Sequence, residues 1–414
     1  MTKLTRFLLM GLLCLLPGLS LHALGGRGTV IEYSLEDGTW RACIRQGRLE
    51  KTVMLCSDTD VASLPTDHRL YDAEWAGRAF GLLIAPVQRF LRTGETVYFL
   101  PAGRIHFINL SALMAPGGKR CCELYRFVRI SSLDNVPEKR PSHFNNCELI
   151  LFGGMDYRAD VSKMRDNAWW LHTDDFKVRY LDSPGWDIGD VSFGYAEDGT
   201  RAGVDNLTES RGEIKFIYQL LRRKIRALVN TGPEALEERF RFYASSTRDY
   251  VMHLSTHTFT VEPKDSPLSS GLTERQRAYK SCGLLFSGAG HTFDGVPMPY
   301  SLNDGLLYAE EIAALDMSHC RLLVLGACNT ALGTVSQDGV TGLQSAFKDA
   351  GAGAMLMTLW SVNDRAASEF MKRFYTYLYS GKNRHEALDR ARIDLMRSED
   401  FGDPVYWAPF IMLD

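Results

Sequence analysis

The last third of the sequence alternates short apolar segments with amphipathic ones, and this pattern restricts the fold more than any other feature. Segments 250–257 (YVMHLSTH), 321–327 (RLLVLGA) and 354–361 (AMLMTLWS) are typical of buried strands. Helical spacing occurs near 340–350, and two further helices are expected up to Arg397. Apolar strands separated by helices indicate a parallel sheet covered on both faces. The sequence therefore predicts an α/β fold.

The first part of the chain carries different patterns. Residues 25–70 alternate β-forming residues with two turn signals, Asp-Gly at 37–38 and Gln-Gly at 46–47. This small segment is therefore predicted to be β-rich. Helical spacing then begins near 71 and ends at Gly94. The stretch TVYFLPAG, residues 96–103, predicts a strand followed by a hairpin-like turn.

The middle of the chain is less regular. Residues 147–154 (CELILFGG) predict a buried strand, and residues 155–206 have no clear period, which predicts a loop and insertion. Residues 212–229 (GEIKFIYQLLRRKIRALV) place apolar side chains up to Ile225 on one helical face. We expect the basic residues on its other faces to form a solvated surface: Arg222, Arg223, Lys224 and Arg226.

The N-terminus has the layout of a secretory signal peptide. Lys3 and Arg6 precede an apolar run at 7–16, and Ala23 offers a small residue for cleavage. The apolar run is too short for a stable membrane span, and no span is expected once the leader is removed. Residues 1–24 therefore predict export to the periplasm or the medium, and a cytoplasmic protein if the leader is not processed.

Composition excludes some classes of function. The chain of 414 residues has a net charge of −3, which gives no electrostatic reason to expect nucleic-acid binding. Its nine cysteines contain no CxxC pair, so no zinc site or other metal site is predicted. Small-molecule and polypeptide substrates both remain open at this point.

Two residues with nucleophilic or basic side chains follow predicted parallel strands. His257 ends the strand at 250–257, and Cys328 follows the strand at 321–327. Reacting groups collect at the carboxyl ends of parallel strands, and a histidine can deprotonate a nearby thiol. The backbone amides of Cys328 and Thr258 are the natural donors for an oxyanion. His253, which faces the sheet layer, is expected to be a core histidine with satisfied hydrogen bonds.

Several segments, in this order, resemble the CHAT domain, a caspase-like cysteine peptidase domain related to separase. The resemblance covers about residues 71–414, with the catalytic half at about 207–414 and a related N-terminal α/β half before it. It implies a caspase-like, parallel-rich sheet flanked by helices. The segments are YVMHLSTHTF, PLSSGL, GLLFSGAG, LLYAEEIAALDM, LLVLGACNTALG, the long stretch from DGVTGLQSAF to YTYLYSGK, and PVYWAPFIMLD.

The resemblance implies a bacterial-type cysteine endopeptidase that cleaves polypeptide substrates through a dyad of His257 and Cys328, with no cofactor. Separase-like relatives carry an acidic residue for basic P1 side chains in the loop after the Trp-ending strand, where Asp364 stands here beside Asn363. Both residues are also placed to cap the following helix. Because Thr258 stands where relatives have glycine, a catalytically silent CHAT fold that binds protein partners is the alternative prediction.

Overall fold

The computed structural model describes residues 28–64, 71–133, 147–168, 191–193, 206–261, 271–299, 302–326, 333–336 and 339–414. The predicted signal peptide and Cys328 lie outside these residues. The strands are β1 (Thr29–Glu36), β2 (Thr39–Gln46), β3 (Leu49–Ser57), β4 (Thr96–Leu100), β5 (Arg126–Arg129), β6 (Glu148–Met155), β7 (Val191–Phe193), β8 (Arg226–Gly232), β9 (Tyr250–Ser255), β10 (Thr258–Val261), β11 (Cys282–Leu285), β12 (Leu306–Tyr308), β13 (Cys320–Leu325), β14 (Gly333–Ser336), β15 (Gly339–Gly342), β16 (Ala354–Thr358) and β17 (Phe410–Leu413).

Helices connect most of these strands, and short 3-10 turns lie at Ala85–Phe90, Gly103–Phe107 and Leu110–Ala112. The α-helices are α1 (Asp58–Ala62), α2 (Ala73–Leu83), α3 (Cys121–Leu124), α4 (Val161–Ala168), α5 (Ser210–Leu221), α6 (Glu237–Ala244), α7 (Glu274–Lys280), α8 (Ala289–Phe293), α9 (Ala309–Ala313), α10 (Leu343–Asp349), α11 (Asp364–Tyr379), α12 (Arg384–Met396) and α13 (Pro404–Trp407).

Among the described residues, eleven strands form one sheet in the order β3-β2-β1-β4-β5-β17-β16-β13-β9-β6-β8. Neighbouring strands are parallel except in three pairs, β1 with β2, β2 with β3, and β16 with β17. The predicted α/β fold, with a parallel-rich sheet flanked by helices, is confirmed. A second sheet of four described strands has the order β12-β11-β10-β7, and β14 pairs with β15.

The β-rich segment near the start of the chain is part of the large sheet. β1 and β2 are joined by Asp37 and Gly38, which adopt φ values of 48° and 71°. Positive φ at both central residues matches a tight hairpin turn whose twist fits the strands, and aspartate and glycine tolerate it. β1 then pairs in parallel with β4, so the hairpins extend the same sheet.

The helix predicted for 212–229 is wrong beyond Leu221. α5 ends there, and residues from Arg226 form β8, which pairs in parallel with β6. A short apolar run fits helix or strand by its period alone, and pairing with a neighbouring strand decides the outcome. The basic residues 222, 223, 224 and 226 are exposed, as expected.

Two further predictions need correction. The described residues between 155 and 206 include α4 and β7, and most of the rest of the predicted loop lies outside the described residues. α4 begins after Asp160, whose carboxylate accepts the amide hydrogens of Ser162 and Lys163. This is ordinary N-terminal capping of a helix. The helix was not predicted because it is too short to show a clear apolar period in the sequence. After β4 the chain forms the 3-10 turns Gly103–Phe107 and Leu110–Ala112 in place of a hairpin.

One hydrophobic cluster runs through most of the molecule, from Ile31 in β1 to Leu413 in β17. The structure describes seven of the cysteines, and no disulfide joins any two of these seven. No helix in the described part of the chain is long and apolar enough to cross a membrane.

Candidate active site

The two strands that precede His257 and Cys328 are hydrogen-bonded neighbours. β9 and β13 run parallel, with Leu254 opposite Leu325, and the amide of Gly326 donates to the carbonyl of Leu254 at 2.7 Å. Their carboxyl ends therefore lie at the same edge of the sheet. His257 follows β9 by two residues, and in the sequence Cys328 follows Gly326 by two residues.

The ends of β9 and β13 approach each other closely at this edge. A Cβ atom at Gly326 would lie 3.3 Å from the carbonyl oxygen of Leu254 and 3.5 Å from the Cα of Ser255. A larger residue would press against the end of β9. Glycine at 326 thus allows the chain to leave β13 directly beside the segment that carries His257.

His257 is half-buried and is held by its backbone. Its amide donates to the hydroxyl of Tyr157 at 3.1 Å, and its carbonyl accepts the amide hydrogen of Leu285 at 3.0 Å. The imidazole lies against the ring of Tyr157, with centroids 5.5 Å apart and planes inclined by 33°. No sequence signal pointed to Tyr157, because it lies 100 residues earlier and in a segment without a period.

Thr258 is the first residue of β10. It pairs with Leu284 of β11 across the smaller sheet. Asp37 is the one non-glycine residue of the described ranges with positive φ, so Thr258 does not adopt the left-handed conformation that glycine favours. A β-branched residue fits an extended strand without strain. The role of its amide in an oxyanion hole stays a prediction.

Asn363 and Asp364 have different surroundings. The Asn363 side chain accepts the amide hydrogens of Arg365 and Ala366 and so caps α11. The Asp364 carboxylate accepts the amide hydrogen of Glu209 at 2.9 Å, at the start of α5. Burial raises the pKa of Asp364, and the charges of Glu213 and His257 act on it in opposite directions. Asp364 is thus within electrostatic range of His257, and its predicted contact with a basic side chain stays a prediction.

Comparison with known proteins then decides the family. The family model described as CHAT domain matches residues 74–413. This chain belongs to the CHAT domain family.

Individual relatives match a smaller part of this chain than the CHAT family model does. Tetratricopeptide repeat protein 28 of Homo sapiens and that of Mus musculus are each 34% identical to it over 112 residues. The match covers 27% of this chain and 4% of either relative, so the two relatives are far longer proteins. Two structures of the Saccharomyces cerevisiae separase-securin complex align with 95% of this chain and 30% of theirs, at TM-scores of 0.48 and 0.47 and identities of 8% and 9%.

Below the candidate site, the CHAT domain buries a polar cluster. His253 in β9 is fully buried, as predicted, and its Nε2 lies 2.7 Å from the Glu213 carboxylate while its Nδ1 lies 3.2 Å from the Tyr375 hydroxyl. Glu213 comes from α5 and Tyr375 from α11. The one sequence signal for this cluster is the position of Glu213, an acidic residue on the apolar face of α5.

α5 is also fixed to the strand ends of the CHAT sheet. The Ser210 hydroxyl donates to the carbonyl of Ser255 at 3.0 Å and accepts the amide hydrogen of Gly154 at 2.8 Å. These bonds join the first turn of α5 to β6 and β9 just before His257. In the described residues, no group of three or more His, Cys, Asp or Glu side chains is arranged to hold a metal ion.

Proposed function

We propose that this CHAT domain is a cysteine endopeptidase in which His257 and Cys328 form the catalytic dyad. One observation carries the proposal: β9 and β13 are adjacent and parallel, and the two residues follow their carboxyl ends. Side chains that follow such strand ends face a common crevice. A thiol next to an imidazole is activated for attack on a carbonyl.

The reaction begins when the Cys328 thiol gives its proton to His257 and its sulfur attacks the peptide carbonyl carbon. The negative oxygen that develops would accept hydrogen bonds from the amides of Cys328 and Thr258. When the C–N bond breaks, His257 gives the proton to the leaving amine, and a thioester remains. Water then attacks the thioester with His257 as base, and this releases the acid and restores the thiol.

The substrate is a polypeptide, and we propose a basic P1 residue that pairs with Asp364. Support comes from the position of this carboxylate, which is partly buried and close enough to His257 for the imidazole charge to act on the pKa of Asp364. An arginine or lysine side chain in that region would gain a charge-assisted hydrogen bond. A peptide library tests this: Asp364→Ala should lose the preference for basic P1 residues, and a retained preference would remove Asp364 from the specificity site.

The test of the activity is selective labelling of Cys328. Iodoacetamide or a peptidyl acyloxymethyl ketone should modify Cys328 at neutral pH far faster than the other thiols, as mapped by peptide mass spectrometry. His257→Ala should slow this labelling on the order of tenfold or more, because an unassisted thiol with a pKa of about 8.5 is mostly protonated at pH 7.

Two matched variants control the experiment. His319→Ala removes a partly exposed histidine next to the opposite end of β13, where it pairs with Asp249 at 3.1 Å. Cys56→Ala removes a partly exposed thiol of β3. Neither should change the labelling of Cys328. Equal and slow labelling of all accessible cysteines would refute the peptidase. It would favour the alternative, a catalytically silent CHAT fold that binds proteins, which was predicted because Thr258 replaces a glycine.

Export is the remaining part of the proposal, and it rests on residues 1–24. N-terminal sequencing of the protein from its native host should find the chain starting at about residue 25 in the periplasm or the medium. A chain that starts at Met1 in the cytoplasm would contradict it.

A further inference from the structure

The backbone of His257 belongs to a closed ring of hydrogen bonds. Its amide donates to Tyr157 at 3.1 Å, and Leu285 donates its own amide hydrogen to the His257 carbonyl at 3.0 Å. The Tyr157 hydroxyl also lies 2.9 Å from that of Thr256, and the Thr256 hydroxyl contacts the carbonyl of Leu285. Four residues from three separate parts of the chain thus meet at the backbone of His257.

The chemistry of the groups fixes the direction of each bond. A carbonyl only accepts, so the Thr256 hydroxyl donates its hydrogen to Leu285. The Tyr157 hydroxyl must then donate to Thr256, while it accepts from the His257 amide. Donation therefore runs in one direction, from His257 to Tyr157, to Thr256, to Leu285, and back to His257. Bonds in such a chain polarise and strengthen one another.

Tyr157 is well fixed for this role. It is 1% exposed, its amide donates to the side chain of Asn206 at 3.2 Å, and its carbonyl accepts the amide hydrogen of Gly290 at 2.8 Å. A Cβ at Gly290 would lie 2.7 Å from that carbonyl oxygen, so the segment around α8 packs directly on Tyr157. Its ring in turn limits the orientation of the His257 imidazole.

We propose that Tyr157 is a positioning residue that holds His257 in its working orientation through this ring of hydrogen bonds. The inference rests on the proposed function, since it assigns Tyr157 to the same dyad. Its hydroxyl fixes the backbone of His257, and its aromatic ring fixes the imidazole plane. In this role Tyr157 acts on the reaction only through His257.

The decisive variant is Tyr157→Phe, which removes one oxygen and keeps the ring. Without that oxygen the His257 amide loses its acceptor and the Thr256 hydroxyl loses its donor. The rate of Cys328 alkylation, measured from pH 5 to 9, should fall on the order of tenfold near pH 6.5, since misplacement of a catalytic group is costly. The midpoint of the profile should move toward about 8.5, the pKa of an unassisted thiol.

Tyr250→Phe is the matched control. Tyr250 is fully buried at the other end of β9, and its hydroxyl donates to the Ala244 carbonyl at 2.8 Å. This variant also removes one buried hydroxyl, so it should affect thermal stability to a similar extent, and it should leave the pH profile unchanged. A profile that moves equally in both variants would reduce Tyr157 to a structural residue.

A second readout does not depend on Cys328. In protein labelled with ¹³C at histidine Cε1, the signal missing from His257→Ala identifies His257. Wild type should give a single His257 signal, and Tyr157→Phe should give a broadened or split one as the ring samples more than one orientation. An unchanged signal together with an unchanged alkylation profile would overturn the inference. Unselective labelling of wild type would instead refute the peptidase, while the His257 signal still tests the positioning role.

Discussion

At the scale of single residues, two histidines that are close in sequence have different surroundings, because one lies within β9 and the other just after it. His253 is fully buried and contacts Glu213 and Tyr375. His257, four residues later, is half-buried beside the end of β13. Strand alternation places both residues on the same face, so the sequence could distinguish them only by position, with His253 inside the strand and His257 at its end. It could not reveal Glu213 or Tyr157 as partners, because each contact joins residues at least 40 positions apart.

The partly buried carboxyl of Asp304 should make the stability of the protein depend on pH. Burial raises the pKa of its carboxyl to about 6, and nearby Glu311 and Glu238 add to the effect. The folded state therefore keeps this proton up to about pH 6, whereas the unfolded chain releases it near pH 4. The free energy of unfolding should fall by up to about 3 kcal/mol as pH rises from about 4 to about 7, through the folded-state pKa.

Asp304→Asn should remove this slope, because asparagine stays neutral and can still accept the amide hydrogen of Leu306. The variant should match wild type at pH 4 and exceed it in stability at pH 7, as measured by urea unfolding. Asp37→Asn, at an exposed hairpin turn where asparagine is well tolerated, serves as the control and should follow the wild-type pH curve. Parallel curves for Asp304→Asn and wild type would contradict the assignment.

At the scale of elements, the docking of α5 on β6 links the core to the candidate site. A Cβ at Gly153 would lie 2.6 Å from Cγ1 of Ile214 and 2.7 Å from Oγ of Ser210. Ser210 bonds the end of β9, and the next turn of α5 carries Glu213. The position of α5 therefore depends on the absence of a side chain at 153.

Gly153→Ala should destabilise the protein by about 1–3 kcal/mol, because the added methyl group forces α5 away from β6. Urea unfolding measures this cost. Gly77→Ala is the control: Gly77 lies within α2, where an added methyl group would enter open space, and alanine favours a helix by up to about 1 kcal/mol. A Gly153→Ala variant as stable as wild type would show that α5 adjusts without cost.

Element boundaries also show where local sequence is sufficient. The strands near 250, 321 and 354 were predictable because buried parallel strands are short, continuous apolar runs. The end of α5 was not, since residues 222–229 fit either a helix or a strand until β6 provides a partner. For Asn363, a cap was predictable from its place before a helix, and the structure confirms that cap.

At the scale of the whole molecule, one narrow connection joins two groups of strands. β17 is antiparallel to β16 and meets β5 through the single pair of Leu413 and Arg129. Asp414 extends this contact through its backbone amide, which donates to the Arg129 carbonyl at 3.1 Å. Its carboxylate pairs with Arg384 and His385 of α12, at 2.7 and 2.9 Å. The order of strands in this sheet was not predictable, because it depends on contacts between segments far apart in the chain.

Asp414 should therefore matter for stability more than a surface aspartate. Burial opposes its charge, but His385 and Arg384 hold the pKa of Asp414 well below its ordinary value. Its contribution is present above about pH 4 and is lost as pH falls. Asp414→Asn should cost about 3 kcal/mol at pH 7 in urea unfolding, and the difference should shrink in acid.

The control for this variant is Asp294→Asn, which breaks an exposed pair with Arg158. Surface pairs contribute about 1 kcal/mol or less, so this variant should stay close to wild type. An Asp414→Asn protein with the stability of Asp294→Asn would contradict the stabilising role of the ion pairs between Asp414 and α12.

The position of β17 also bears on how the chain folds as it leaves the ribosome. β17 follows every other described strand in sequence, yet in space it lies between β5 and β16. Both groups of strands are thus synthesised before the strand that bridges them. Until residues 410–413 emerge, β5 and β16 each expose an unpaired edge, and such edges are prone to wrong pairing. The nascent chain consequently passes through a stage in which these two edges are open to binding by a chaperone.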